Sequence, residues 1–191
     1  MLDNIINKNI MFLQKHGVKM NNSEGGTAIY KYGLQILYYS VIDLLVIFFL
    51  AFCFGKVYET AAIMFIFALF QVSGGGYHAK TALKCLLAMV AGAAAGNILI
   101  MLAAGHFMFN IVLAVICSVL IFFLTPVANK RHPVSKKVRR RSKIIIRIML
   151  ILVLTAMGIL TYFNKPLESA AIAVTLGIYL VSLTAAKVKS R

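Results

Sequence analysis

Residues 108–126 read MFNIVLAVICSVLIFFLTP and contain no charged side chain. The hydrocarbon core of a bilayer is about 30 Å thick, and an α-helix needs roughly 20 apolar residues to cross it. A helix on the surface of a soluble domain would instead carry polar residues along one face. This stretch therefore predicts a transmembrane helix.

Similar apolar runs occur on both sides of this stretch, at 36–55, 58–73, 81–104, 144–163 and 167–186. The run 58–73 is short and leads into three glycines, so we expect that helix to tilt or break at this end. Hydrophobic residues make up 61% of the 191-residue chain and charged residues only 13%. This composition supplies too little polar surface for a soluble domain of this length. We expect an all-α integral membrane protein of about six transmembrane helices, forming a single membrane domain over residues 1–191 with its bundle at 36–186.

Residues 1–35 precede the first predicted span, and we expect a cytoplasmic or interfacial location for them. Charged residues in the first 20 positions, with no uninterrupted apolar run before residue 36, argue against a cleavable signal peptide. Apolar residues at helix-like spacing favour an amphipathic helix lying on the membrane surface. The competing interpretation is a disordered leader. The apolar positions are Leu2, Ile5, Ile6, Ile10, Met11, Leu13 and Val18.

Basic residues are concentrated between the fourth and fifth predicted spans, in a predicted loop at 127–143. The positive-inside rule places this loop in the cytoplasm, and six spans then put the N-terminal segment, the 74–80 loop and the C-terminus on the same side. The charges of the +15 chain flank spans instead of covering one face of a domain, which favours lipid headgroups over nucleic acid as their partner. The basic cluster consists of Lys130, Arg131, Lys136, Lys137, Arg139, Arg140, Arg141 and Lys143.

The three cysteines fall in three different predicted spans, without metal-ligand spacing or a paired arrangement. We therefore expect no metal site, no cofactor and no structural disulfide. Cys53 and Cys117 lie within apolar runs, where a thiol behaves as a small hydrophobic group. Cys85 differs because it lies about one turn inside a helix that we expect to start at Thr81. Helix N-termini and nearby cations favour the thiolate, and the flanking cations here are Lys80 and Lys84.

The segment SGGGYHAKTALKC, residues 73–85, combines residue types suited to nucleophilic attack on an amide. His78 precedes Cys85 by seven residues, which in a continuous helix separates them by about 10 Å. A turn at the glycines would bring the imidazole onto the thiol, and a hydrogen-bonded Cys–His pair is the minimum unit for this chemistry. The competing interpretation is a simple turn, an interfacial histidine and a packing cysteine. The backbone amides that could face an oxyanion belong to Gly74, Gly75 and Gly76.

This segment resembles the signature of the AgrB family, the accessory gene regulator B peptidases that process the quorum-sensing propeptide AgrD. The family's GG-x-H-A motif, and its cysteine at the same seven-residue offset, fall on Gly75, Gly76, His78 and Cys85. The chain length, six hydrophobic segments and a basic stretch after TP are also similar. One departure is Gln71, where members often have arginine; it affects any guanidinium role in binding a substrate carboxylate or packing the motif, but not the Cys–His pair.

The resemblance implies a cysteine endopeptidase in the bacterial cytoplasmic membrane, with His78 and Cys85 as catalytic residues. The family cuts its propeptide on the cytoplasmic side, discards an acidic C-terminal tail and holds the remainder as an enzyme thioester. A substrate cysteine then displaces the enzyme thiol to give a cyclic thiolactone. The implied partners are an AgrD-like propeptide and membrane lipid, with a homodimer left open. The residues expected to attract the acidic tail are Lys130, Arg131, Lys136, Lys137, Arg139, Arg140 and Arg141.

Asp43 lies in the inner half of the first predicted span, where an ionised carboxylate is costly and usually functional. It is a candidate for orienting His78, and pairing with Lys84 or Arg147 is an equally good alternative. Further candidates for supporting the site are Gln71, Ser73, Lys80 and Lys84.

The alternative function is a small transporter or scaffold whose glycine-rich break lines a path. A transporter would be expected to show internal repeats or matched broken helices, and residues 105–191 contain no counterpart of SGGGYHAK. The sequence GAAAGN, which holds Gly92, Gly96 and Asn97, indicates close helix packing. We expect Glu59, His106 and Glu168 at the outer boundary.

Overall fold

The computed structural model describes residues 2–16, 24–77, 82–126 and 136–189, and these residues form helices and their connections, without a strand. The helices are α1 (Leu2–Lys15), α2 (Glu24–Cys53), α3 (Val57–Gly74), α4 (Ala82–Ala103), α5 (Phe107–Leu124), α6 (Lys136–Tyr162) and α7 (Pro166–Lys189). Six of them, α2 to α7, are long and apolar enough to cross a membrane. The prediction of an all-α protein with about six spans after an N-terminal helix is confirmed.

The chain divides into two compact units, Met1–Val46 and Ile47–Arg191. In the first unit, α1 buries Ile6 completely while Met11 and Phe12 stay exposed. The side-chain amide of Asn9 donates to the hydroxyl oxygen of Tyr38 on α2 at 2.7 Å, which ties the two helices together. The helix ends at Lys15, earlier than the pattern over residues 1–20 suggested, and the predicted apolar position Val18 lies outside the described residues.

The helix α2 begins at Glu24, well before its apolar span Gly33–Cys53. Its N-terminal turns therefore occupy part of the stretch that we predicted as an interfacial segment. Asp43 is 7% exposed. It lies within the apolar span Gly33–Cys53, and its place in the inner half of the first span stays a prediction.

The helix α7 is the most enclosed span of the second unit. Over half of its span, 56%, is buried, compared with 17–28% for α3, α4, α5 and α6. Its side chains Leu176, Tyr179 and Leu183 form one core cluster with Phe70 of α3 and Ile146 of α6. A segment that contacts several neighbours in this way fixes where the ends of those neighbours lie.

Close helix packing also occurs at Gly96 of α4, where an added Cβ would lie 2.9 Å from Cδ1 of Ile63 and 3.0 Å from Cδ1 of Ile178. The adjacent Asn97 amide donates to the Thr60 hydroxyl of α3 at 2.9 Å. At Gly92 the space around a Cβ is open as far as the described residues extend. The predicted small-residue contact therefore exists at Gly96 but not at Gly92.

The helix α6 starts at Lys136 and not near residue 144, so the second half of the predicted loop 127–143 is helical. Lysine and arginine are good helix formers, and their long side chains extend toward water, so a basic run does not end a helix. The exposed cations of these first turns are Lys137, Arg139, Arg140, Arg141 and Lys143.

Candidate functional site

The helix α3 ends at the glycine segment that the sequence singled out. Gly74 is its last residue, and Gly75 follows with φ 75°, a conformation that glycine adopts without a steric penalty. The Gly75 amide donates to the Gln71 carbonyl oxygen at 3.1 Å, which closes the last turn. Gly75, Gly76 and Tyr77 then continue outside the helix.

Two side chains of α7 contact the backbone on either side of Gly76. The Tyr179 hydroxyl lies 2.9 Å from the Gly75 carbonyl oxygen and 3.2 Å from the Phe70 carbonyl oxygen, and it donates to this pair of acceptors. The Tyr77 amide donates to the Ser182 hydroxyl oxygen at 3.1 Å. These contacts hold the non-helical segment against the most buried helix of the unit.

Gly74 lies in a crowded position where four elements meet. An added Cβ would overlap the Tyr179 hydroxyl and would lie 3.1 Å from Cδ1 of Ile146 and 3.2 Å from Cγ2 of Thr125. Thr125 follows α5, and Ile146 lies in α6. The glycine break and the N-terminal part of α6 are therefore at the same end of this unit.

Gly76 packs against the side-chain amide of Gln71, since an added Cβ would overlap the Gln71 carboxamide. The Gln71 Oε1 is buried, and among the described residues it has no hydrogen-bond partner. A buried acceptor without a donor is unusual in folded proteins. This amide therefore places a polar group beside the glycine segment.

The three glycine amides differ in their availability to an oxyanion. Gly74 donates within α3, as the last residue of a regular helix does. Gly75 donates to Gln71. Gly76 is thus the glycine whose amide makes no recorded hydrogen bond within the described ranges. Gly76 is therefore the one of the three glycines whose amide is not already engaged among the described residues, and the oxyanion role of Gly74, Gly75 and Gly76 stays a prediction.

Cys85 lies in the first turn of α4, which begins at Ala82. Its side chain is half-buried, and, like Cys53 and Cys117, it forms no disulfide. Amides at the start of a helix have no intrahelical acceptor and favour a nearby anion. The preceding Lys84 is exposed. The placement of Cys85 agrees with the prediction of a thiol about one turn inside the helix.

The other two cysteines differ from each other. Cys117 is 3% exposed and packs in the main core cluster. Cys53 is the last residue of α2 and is exposed at the end of an apolar span, so its role as a small hydrophobic group stays a prediction.

Several predicted site residues lie outside the described residues: His78, Lys80, Thr81, Lys130 and Arg131. Lys136 is the first residue of α6. Ser73 is half-buried in the last turn of α3.

Arg147 places its guanidinium 4.4 Å from the centre of the Phe122 ring, a cation–π contact. The orienting role of Asp43 stays a prediction.

At the opposite end of the second unit, Lys56 and Glu59 form an ion pair at 3.3 Å. Glu59 lies in the first turn of α3 and Glu168 in the first turn of α7. Both lie away from the glycine break, and their location at the outer boundary stays a prediction.

The sequence analysis missed Tyr179, Ser182 and Thr125. Tyr179 is fully buried inside the last apolar run, where an aromatic residue indicates packing and gives no sign of its hydrogen bonds. The polar residue Ser182 follows at i+3, so both side chains lie on one face of α7. Two polar groups on one face of an apolar helix were the sequence feature that could have indicated these contacts.

Fold and site define a multi-pass membrane protein with a glycine-rich helix break and a cysteine at the start of the next helix. The family model AgrB, described as Accessory gene regulator B, matches residues 6–185, and the chain belongs to this family. No curated protein and no solved structure matches the chain. The protein is thus a membrane protein of accessory gene regulator quorum-sensing peptide processing, and its partner is an AgrD-type propeptide.

The crowding at Gly74 predicts a specific loss of stability. Gly74→Ala should lower the free energy of unfolding by about 1–3 kcal/mol, the usual cost of overpacking a core. The matched control is Gly92→Ala, also within a helix but with open space around its Cβ. The control should be neutral or slightly stabilising. Thermal unfolding in detergent measures both, and equal melting temperatures for the two variants would contradict the packing described.

Proposed function

We propose that this chain is a membrane-embedded cysteine endopeptidase, which cleaves the C-terminal tail from an AgrD-type propeptide and cyclises the remainder through a thioester on Cys85. The observation that supports it best is the placement of Cys85. The thiol lies in the first turn of α4, at the end of the unit where α3 breaks at its glycines. Cys85, the Gly76 amide, which has no hydrogen-bond partner among the described residues, and the cationic start of α6 belong to this end.

The proposed reaction begins when His78 accepts the Cys85 proton. The thiolate attacks the scissile carbonyl carbon and forms a tetrahedral oxyanion, toward which Gly76 can donate its amide. The C–N bond breaks, and the proton returns to the leaving amine of the tail. The remaining acyl group is then a thioester of Cys85.

In the second step a cysteine thiol of the substrate gives up its proton and attacks this thioester. The bond to Cys85 breaks, Cys85 regains a proton and the product is a cyclic thiolactone. Exchange of one thioester for another is near thermoneutral, so excluding water matters more than driving force. A half-buried thiol at a membrane-spanning helix end suits this requirement.

The acidic tail is proposed to be attracted by the basic residues Lys130, Arg131, Lys136, Lys137, Arg139, Arg140 and Arg141, of which the last four are exposed in the first turns of α6. Arg139 precedes Ile146, a neighbour of Gly74, by seven residues, which is about 10 Å along a helix. This distance is short enough for one peptide to contact the cations and the glycine segment together. The positive-inside rule places this end in the cytoplasm.

Further residues are proposed to support the catalytic pair. Gln71, Ser73, Lys80 and Lys84 are proposed to shape the site, and Asp43 is the candidate for orienting the histidine. The absent arginine leaves Gln71 as a neutral hydrogen-bonding group beside Gly76. Residues 1–191 are proposed to act as one membrane domain.

The nucleophile proposal predicts different results for the three cysteines. Cys85→Ser should abolish cleavage, because a hydroxyl ionises far less readily than a thiol of ordinary pKa about 8.5. His78→Ala should abolish cleavage by removing the base. Cys53→Ala and Cys117→Ala serve as matched controls and should still process the propeptide. Cleavage is measured by mass spectrometry after co-expression. Normal processing by Cys85→Ser would show that Cys85 is not the nucleophile.

The tail-binding proposal predicts a loss of substrate capture without a loss of chemistry. Replacing Lys137, Arg140 and Arg141 by glutamine should raise KM several-fold and reduce its salt dependence, since exposed charges act through screened attraction. The control is Lys165→Gln, a cation that precedes α7 at the opposite end. The rate at saturating propeptide should stay near that of wild type. An unchanged KM in a correctly inserted triple variant would remove these residues from substrate capture.

A further inference from the structure

The non-helical residues Gly75, Gly76 and Tyr77 have unusual support for a segment at a membrane boundary. Backbone groups there need hydrogen-bond partners, because little water is available to replace them. Tyr179 supplies a donor to the Gly75 carbonyl at 2.9 Å, and Ser182 supplies an acceptor to the Tyr77 amide at 3.1 Å. Both partners come from α7, 104 and 105 residues further along the chain.

The two contacts surround Gly76 on both sides. A peptide unit is planar, so fixing the carbonyl of Gly75 also fixes the direction of the Gly76 amide, which shares that unit. Fixing the Tyr77 amide likewise fixes the Gly76 carbonyl. Both planes next to the Gly76 Cα are therefore held by α7.

The supporting side chain of Tyr179 is closely packed. Tyr179 is fully buried, and its ring packs against Phe70 with centroids 5.3 Å apart and against Phe67 with centroids 6.0 Å apart. Its hydroxyl contacts Gly74 so closely that no larger residue fits there without a shift. A hydroxyl held in this way has little freedom, so it defines one position for the Gly75 carbonyl.

We propose that Tyr179 and Ser182 are positioning residues, which hold the Gly75–Tyr77 backbone so that the Gly76 amide points at the oxyanion formed when Cys85 attacks the propeptide. This inference rests on the proposed function. It adds that α7 sets the direction of the amide that stabilises the transition state. The two side chains need not touch substrate. Their loss should affect the acylation step more than propeptide binding.

The test compares four variants of the full chain in detergent or nanodiscs. Tyr179→Phe removes only the hydroxyl, and Ser182→Ala removes only the acceptor. Ser182→Thr retains a hydroxyl and serves as the rescue variant. The matched control is Thr175→Val, which removes another fully buried hydroxyl of α7 whose hydrogen bond, to the Ala171 carbonyl at 2.6 Å, stays within the helix.

The measurements are propeptide affinity in a Cys85→Ala background and the single-turnover rate of acyl-enzyme formation per folded molecule. Tyr179→Phe should slow acylation about tenfold, the size of effect expected for one buried hydrogen bond. Ser182→Ala should slow it severalfold, Ser182→Thr should restore most of the rate, and affinity should stay within about twofold, since a positioning group acts on the transition state and not on uniform binding. Thr175→Val should acylate like wild type.

A purely structural role would lower the melting temperature or the inserted amount but leave the rate per folded molecule unchanged, and that result would overturn the proposal. If Tyr179→Phe fails to insert, the acylation rates of Ser182→Ala and Ser182→Thr test the positioning role instead. Ser182 is only half-buried, so we expect these two variants to fold. Failure of the proposed function gives a different result: no acyl-enzyme forms on Cys85 in the wild type. An acyl-enzyme that forms at the wild-type rate in Tyr179→Phe and Ser182→Ala rejects the positioning role alone.

Discussion

A helix that ends within a membrane protein leaves carbonyl groups without intrahelical donors, and the structure around Gly74 depends on how this constraint is met. The hydroxyl of Tyr179 reaches the carbonyls of Phe70 and Gly75, and the amide of Gly75 closes the last turn onto Gln71. An unpaired backbone group in an apolar environment costs several kcal/mol, on the order of the whole stability of a small domain. The break in α3 is therefore tied to α7, and α7 in turn is the most enclosed span.

This arrangement explains why the polar groups that matter lie at one end of the second unit. The glycine break, the start of α4 with Cys85 and the basic start of α6 all belong to that end, whereas the Lys56–Glu59 pair lies at the other. Crowding at Gly74 brings α3, α6 and α7 together with Thr125 after α5. Under the proposed function, the cations that attract the acidic tail and the thiol that attacks the scissile bond both belong to this end. The glycine break is packed against α7 through its contacts with Tyr179 and Ser182.

Much of the fold could be predicted from the sequence because each span has a simple physical signature. Apolar length identifies the six spans, and glycine identifies where α3 ends. The start of α6 was misplaced because hydropathy changes near residue 144, whereas helical structure follows backbone propensity, which lysine and arginine satisfy.

The candidate site was only partly predictable. Cys85 follows from its position after the glycines, and its place in the first turn of α4 agrees with that reasoning. Tyr179 and Ser182 could not be found in this way, because they lie more than 100 residues from the motif and their role arises from tertiary contact. The different availability of the three glycine amides also depends on the actual turn, which spacing alone does not define.

The most direct test of the account is to trap the acyl-enzyme. Wild-type protein is incubated with a propeptide whose internal cysteine is replaced by alanine, so that the second step has no nucleophile, and the intact protein is then analysed by mass spectrometry with peptide mapping. The account predicts a single adduct with the mass of the tail-less peptide, on Cys85, that hydroxylamine removes and that Cys85→Ser does not form. Release of the tail without any adduct, or an adduct that maps to Cys53 or Cys117, would contradict it.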